Sequence, residues 1–231
     1  MKPIEQAING AHDLMNATER ALETGEIDEA EWFRRIVAGI APAYLASDDP
    51  LKQSGYSGDE ARWTWARSLI ADPIDRDGTF LDVGCASGYL MESMQRWCAE
   101  KGVTIEPYGL DIAPELADLA RRRLPHWTDR IFTGNALDWR PPMRFDFVRT
   151  CMYVPRRRRK DFVAHLLDEV VAPGGRLIIG VYNEAVAPKT DSPLEAIVQS
   201  FGFAIAGHGE RVHRDDRLRY RAFWIDRRHQ P

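Results

Sequence analysis

The chain reads as an α/β fold: a doubly wound, mostly parallel seven-stranded sheet with an antiparallel C-terminal hairpin, preceded by an N-terminal helical lid. Three observations predict this. From residue 79 onward, short apolar strands alternate with helical segments, the pattern of right-handed βαβ units. The first of these strands runs into a glycine-bracketed turn that opens a helix. The last two apolar runs are joined by a charged connection, which predicts a hairpin and an antiparallel edge.

The elements follow in order. Residues 5–23 and 28–45 mix apolar and polar positions at helical spacing, with no strand-like alternation. Turn residues crowd the segment from Ala46 to Gly58, which predicts a loop. A third helix is expected over about 59–71. Strands are expected at 79–84, 103–110, 130–133, 145–150 and 176–182, with a turn at Pro173-Gly-Gly175 leading into the fifth. Helices are expected at 89–101, from near Pro114, and at 157–171. Ser192-Pro-Leu-Glu195 reads as a capping box with proline at the first helical position. The closing strands are expected at 203–209 and 218–226. The resulting division is a helical cap over residues 1–71 and a ligand-binding domain over 72–231.

Composition bounds the function. The chain has 231 residues, enough for one domain with a sizeable core and a short extension. Net charge is −4, so the surface as a whole does not favour nucleic acid. The three cysteines, Cys85, Cys98 and Cys151, show neither a paired framework nor a zinc-ligand spacing. No metal is expected. The N-terminal stretch lacks the apolar core of a signal peptide, and no apolar run reaches the roughly 18 residues of a membrane span. The expectation is a cytoplasmic protein with reduced thiols and no membrane association.

Chemistry concentrates in three segments. The first is Phe80-Leu-Asp-Val-Gly-Cys-Ala-Ser-Gly-Tyr89. Gly84 and Gly88 permit close approach of a ligand to the backbone, and the following helix offers free N–H groups. The dinucleotide pattern G-x-G-x-x-G fails, because position 86 is alanine and position 89 is tyrosine. A carboxylate at Asp82 repels phosphate and suits an ammonium or sulfonium ligand. The second segment, Pro107-Tyr-Gly-Leu-Asp111, ends the second strand in an acid placed to accept from two ribose hydroxyls. The third, Thr133-Gly-Asn-Ala-Leu-Asp138, offers the amide of Asn135 to an adenine ring, with Asp138 able to share that task.

These segments, in this order, resemble class I S-adenosylmethionine-dependent methyltransferases. The resemblance covers residues 79–182 well and the final helix and hairpin more loosely. Leu81-Asp-Val-Gly-Cys-Ala-Ser-Gly88 is similar to the family's first motif, with Ala86 where its middle glycine stands. Phe145-Asp-Phe-Val148 looks like its fourth strand, and Val171-Ala-Pro-Gly-Gly-Arg-Leu-Ile-Ile179 like the entry to its fifth. The resemblance implies S-adenosylmethionine as cofactor, S-adenosylhomocysteine as product, and direct in-line transfer of a methyl group.

The residues expected to bind the cofactor are Asp82, Gly84, Cys85, Ser87, Gly88, Asp111, Ile112, Asn135, Ala136 and Arg149. Tyr56 and Arg62 are expected to join them from the loop and helix before the first strand. The acceptor pocket is expected at Thr150, Met152, Tyr153, Tyr182 and Asn183. Trp63 and Trp65 read as helix-packing residues. No catalytic base is legible; His208, His213 and Tyr153 are candidates by type and position only. His165, inside a helix, reads as structural. The run Arg156–Lys160 reads as a solvated helix start in need of nearby carboxylates. A small-molecule acceptor is the leading reading, and nucleic acid is disfavoured. An RNA or protein acceptor, or a non-catalytic cofactor-binding subunit, stays open, as does a homodimer.

Overall fold

The computed structural model describes residues 3–56, 58–185, 193–212 and 218–228, and of residues 3–12, 181–185, 193 and 218–219 only the backbone. Its strands are β1 (Gly78–Val83), β2 (Ile105–Asp111), β3 (Ile131–Thr133), β4 (Phe145–Thr150), β5 (Val171–Ala185), β6 (Gly207–Val212) and β7 (Leu218–Asp226). They form one sheet in the order β3-β2-β1-β4-β5-β7-β6. Strands β1 to β5 pair in parallel, and β7 runs antiparallel to both β5 and β6. The strand order reverses between β1 and β4, so the crevice beyond their carboxyl ends is the expected ligand site.

Alternation along the central strands explains why both faces are covered. Phe80, Phe147 and Ile178 turn to one face, where they pack with Leu90, Met94 and Trp97 of α4 (Tyr89–Glu100). Leu81, Val148, Leu177 and Ile179 turn to the other, against Phe162, Val163 and Leu166. These last residues lie on α6 (Arg159–His165) and the wide turn 166–170 that follows it. Strands buried on both faces read as near-continuous apolar runs, and here the run is broken toward the carboxyl ends of β1 and β4 by Asp82 and Arg149.

The first face also takes α3 (Glu60–Arg67) and the 3-10 turn 68–71, since Trp63, Ala66, Leu69 and Ile70 share its core. The segment expected at the end of the cap therefore packs as part of the sheet layer. Only α1 (Pro3–Glu23) and α2 (Glu29–Leu45) stand apart as a roof. Asp28 caps α2 and Asp59 caps α3, each side chain accepting the N–H three residues on at 2.8 Å. A further helix, α5 (Pro114–Arg123), supports the crevice from the β2 side, and α7 (Pro193–Ser200) follows β5. Ser192, the expected cap of α7, lies outside the described residues.

Three boundaries differ from expectation. β5 begins at Val171, which pairs with Phe145 before a register shift brings Arg176 opposite Phe147. The Pro173-Gly-Gly175 turn is thus a bulge inside the strand, with Gly174 at φ 74°. β6 begins at Gly207, four residues late, because Phe203 and Ile205 pack into the second core as irregular chain. A side chain at 207 would strike the Trp224 ring at 2.4 Å. The helix expected over 157–171 is broken into the 3-10 turn 156–158, α6 and the wide turn.

The basic run finds its carboxylates on the roof. Glu29 receives Arg157 at 3.0 Å and Arg158 at 2.7 Å, and Arg156 approaches Glu23 at 3.8 Å. Such exposed pairs contribute about 0–1 kcal/mol each. The buried partner is Glu19, which accepts from the Arg156 backbone N–H at 2.8 Å and the Trp32 indole N–H at 3.2 Å. Glu19→Leu would strand both donors, and we expect a loss of about 1–3 kcal/mol, or a melting midpoint lower by roughly 2–12 °C. Thermal unfolding followed by circular dichroism checks this; an unchanged midpoint would mean that Glu19 does not hold the roof.

Candidate active site

A cavity of about 320 Å³ opens beyond the carboxyl ends of β1, β2 and β4, at the strand-order reversal. Its floor at one end is the turn from β1 into α4. Gly84 sits there at φ 83°, and a Cβ built on it would meet no protein atom within 4 Å. That turn conformation requires glycine, and the backbone is left bare toward the cavity. Ala86, two residues on, adopts φ 47°, where an L-residue costs about 1–2 kcal/mol. Its methyl offsets part of that cost by packing with Ala41, Ala113 and Leu116.

Asp111 ends β2 against this turn. Its Oδ2 accepts from the Ala86 N–H at 2.8 Å and its Oδ1 from the Ala113 N–H at 2.9 Å. One carboxylate thus fixes the turn before α4 and the start of α5 together. Burial raises its pKa, the amides of Ala113 and Ala86 oppose the rise, and Asp82 reinforces it. Asn135 lines the cavity beyond Asp111, with its Oδ1 accepting from the Leu137 N–H at 3.1 Å. Cys85, Ile112 and Ala136 complete this end.

At the other end Asp82 and Arg149 face each other across the reversal point. They are register partners on β1 and β4, so their side chains leave the sheet on the same side. Arg149 Nη1 meets Asp82 Oδ1 at 2.6 Å, with side-chain exposures of 5% and 1%. Arg149 Nη2 also reaches the Cys151 sulfur at 2.6 Å. Burial pushes the Asp82 pKa up, and Arg149 pulls it back down. Thr150 and Tyr153 continue the cavity wall past Arg149.

The remaining expected residues lie elsewhere. Ser87 is fully buried and bonds Ser54 Oγ at 2.8 Å and the Pro50 carbonyl at 3.1 Å. It fastens the 47–56 loop to the turn. Gly88, at φ 75°, starts α4, and a side chain there would strike Leu124 at 2.5 Å. Met152 packs in the second core at φ 57°. Tyr56 packs edge-on against Trp63, and Arg62 donates to the Tyr220 hydroxyl at 3.1 Å. Both therefore form the wall's backing. His208 stands on the exposed edge strand, 3.6 Å from Glu195, away from the cavity. His165 bonds the Trp139 carbonyl at 3.0 Å, a structural role. His213 lies outside the described residues, and Tyr182 and Asn183 lie on β5 where only the backbone is described.

Two polar residues of the cavity wall, Arg67 and Tyr44, lie outside the sequence-based expectations. Arg67 is 7% exposed and lines the cavity. Its guanidinium lies over the Tyr56, Trp63 and Tyr220 rings at 5.3–5.8 Å. The signal was present: Trp63, Ala66, Arg67 and Ile70 share one helical face, which puts a cation on an apolar stripe. Tyr44 of α2 also lines the cavity, its hydroxyl set over Gly55. Nothing in the local pattern distinguishes it from the other roof residues.

The site fits an adenosyl ligand: a bare glycine turn, an acid at the end of β2 and an amide beyond it. We expect Asp111→Ala to weaken S-adenosylmethionine binding by about 1–3 kcal/mol. Calorimetry on a folded variant measures this, and unchanged affinity would remove the ribose assignment.

The comparisons agree. Residues 80–175 match the family profile described as Methyltransferase domain. A search of curated protein sequences finds no match. Among solved structures, the N-methyltransferase NodS of Bradyrhizobium japonicum WM9, in complex with S-adenosylhomocysteine, aligns with TM-score 0.61 at 15% identity. That alignment covers 82% of this chain and 97% of NodS. The 1,6-didemethyltoxoflavin-N1-methyltransferase of Burkholderia thailandensis aligns with TM-score 0.62 at 17% identity, over 87% of this chain and 91% of that one. A putative methyltransferase solved with the Haloferax volcanii Trm112 activator aligns with TM-score 0.59 at 17% identity, over 83% and 99%. At these identities the structures show a shared fold. Over residues 80–175 the chain is thus similar to methyltransferase domains, and its fold is that of solved methyltransferases crystallised with S-adenosylhomocysteine.

Proposed function

We propose that the protein transfers the methyl group of S-adenosylmethionine in line to an O, N or C atom of a small-molecule acceptor. One observation carries this reading. The cavity is continuous from Gly84, Asp111 and Asn135 to Thr150 and Tyr153, and α2 roofs it. Donor and acceptor would share one space of a size suited to small ligands. Helices α1 and α2 are the proposed lid over it.

When bound, S-adenosylmethionine supplies a methyl carbon made electrophilic by a sulfonium. Asp111 would hold the ribose hydroxyls, and Asn135 would face the adenine. Asp82 and Arg67 bring opposite charges to the end where the methionine ammonium and carboxylate need partners. The chain's main contribution would be orientation, for which effective molarities reach about 10^5–10^8 M. The roof would limit water at the reacting centre and so strengthen these interactions.

A macromolecular acceptor has less support. The basic run that would have touched RNA phosphates meets Glu23 and Glu29 of the roof instead. Calorimetric titration with S-adenosylmethionine and S-adenosylhomocysteine tests the reading. One-to-one micromolar binding is the expected result. No heat from a folded sample would overturn it, and binding without turnover on any acceptor would favour a non-catalytic subunit.

A further inference from the structure

The acceptor end of the cavity has a chemical character that narrows what it can methylate. Its roof and far wall are apolar, built from Met15, Phe33, Ile36, Val37 and Ile40 of α1 and α2, with Phe162 of α6 opposite. Among the described residues lining the cavity there is no histidine and no glutamate. Both lining aspartates are engaged, Asp82 by Arg149 and Asp111 by two backbone amides. The lining tyrosines are no better as bases. Burial raises the Tyr44 hydroxyl above its ordinary range, and Tyr153, more than half exposed, is a phenol whose ordinary value of about 10 already lies far above neutral pH. Of the other described lining groups, burial pushes the Cys85 thiol up and Cys151 is held against Arg149 Nη2 at 2.6 Å, so no histidine or unengaged carboxylate among them stands ready to take a proton from an acceptor at neutral pH.

The charge balance points the same way. Inside the cavity Arg67 and Arg149 offset Asp82 and Asp111, and at its mouth Lys52 is matched by Asp49 at 3.5 Å. S-adenosylmethionine carries a sulfonium, an ammonium and a carboxylate, a net charge of +1. Its binding leaves the cavity one positive charge in excess, in apolar surroundings where charge is poorly screened. A protonated amine acceptor would add a second positive charge and would also need a base. An anionic acceptor removes the excess and needs none.

We propose that the acceptor is a hydrophobic carboxylic acid, bound as its carboxylate beneath α1 and α2 and converted to its methyl ester. This rests on the methyltransferase reading above. A carboxylate oxygen attacks the methyl carbon, and the new O–C bond forms as the S–C bond breaks. The electron pair of the broken bond returns to sulfur, which becomes a neutral thioether. No proton moves and no further reactant is needed. A cation and an anion combine into two species with less charge, a change favoured by an apolar wall.

The test uses the full chain and three ten-carbon probes: decanoate, decylamine and decanol. Calorimetry first establishes S-adenosylhomocysteine binding; its absence would overturn the methyltransferase reading and this inference with it. With that binding in hand, decanoate is titrated into two complexes. One holds S-adenosylhomocysteine, which is uncharged at sulfur; the other holds sinefungin, which carries a protonated amine near that position. The expected result is decanoate binding at least five-fold tighter to the sinefungin complex, with neither decylamine nor decanol showing that preference. With S-adenosylmethionine, mass spectrometry should detect methyl decanoate. Ile40→Trp, which fills the apolar chamber, should weaken decanoate at least ten-fold and leave S-adenosylhomocysteine affinity unchanged. Val37→Asp, which places a negative charge there, should do the same and serves if the first variant does not fold. Equal decanoate affinity in the two complexes, or preferential binding or methylation of decylamine or decanol, would overturn the proposal while leaving the methyltransferase reading in place.

Discussion

Gly84→Val is expected to abolish S-adenosylmethionine binding while leaving the sheet intact. Two effects act together. The backbone at 84 sits at φ 83°, where a β-branched residue is a strong outlier, at a cost of about 1–3 kcal/mol. The side chain would also project into open cavity, since a Cβ at this position meets no protein atom within 4 Å. The fold therefore has room for the valine, and the ligand loses that room. We expect at least a hundredfold loss of affinity, equivalent to about 2.8 kcal/mol at roughly 1.4 kcal/mol per tenfold change. Gly84→Ala separates the two effects, because it carries most of the backbone strain with a single methyl group. It should bind more weakly than the natural chain and more tightly than Gly84→Val. Calorimetry beside thermal melting provides the measurement. Normal binding by a folded Gly84→Val would show that the turn does not cradle the cofactor.

The features legible in the sequence were those set by local pattern. Continuous apolar strands predicted a sheet covered on both faces, and the Asp82–Gly88 turn and Asp111 fell at its switch point as their spacing required. Side-chain partners set by long-range register were not legible. The sequence alone places Asp82 against a cationic ligand and Arg149 among the cofactor-binding residues. Their pairing depends on β1 and β4 lying adjacent with these two residues in register, 67 positions apart. Ser87 carries the same lesson, because its partners Ser54 and Pro50 arrive from a loop that precedes it by more than 30 residues. The β6 start was misplaced for a different reason. Phe203 and Ile205 have strand-like alternation, yet they serve the core as irregular chain, and pairing begins only at Gly207, which lies beneath Trp224. Arg67 was overlooked because a cation on an apolar helix face looks like an interruption until three aromatic rings are seen around it.

The Asp82–Arg149 pair carries the largest stability effect we expect from a single side chain. Both groups are almost wholly buried, so removing either strands a charge in a medium that solvates it poorly. Asp82→Asn or Arg149→Met should each cost about 3–5 kcal/mol, lowering the melting midpoint by roughly 6–20 °C at about 2–4 °C per kcal/mol for a chain of this size. Replacing both, as Asp82→Leu with Arg149→Met, removes the charges together, and most of the loss should be recovered. The pH dependence has a defined sign. Burial raises the Asp82 pKa in the folded chain and Arg149 opposes it. Without Arg149 the folded value rises further, so the folded state holds the proton more tightly than the unfolded state does. Stability from such a group is fully present below the unfolded value of about 3.9 and is lost as pH rises through the raised folded value. Arg149→Met should therefore be penalised more at pH of about 8 than at about 5, as urea unfolding at the two pH values can measure. A pair of exposed type would give single-variant losses of about 0–1 kcal/mol, and that result would remove the buried ion pair from any role in holding the cavity's shape. If the large values appear and the double variant regains stability without regaining S-adenosylmethionine affinity, the pair is kept for the ligand, because an apolar replacement would serve the fold as well.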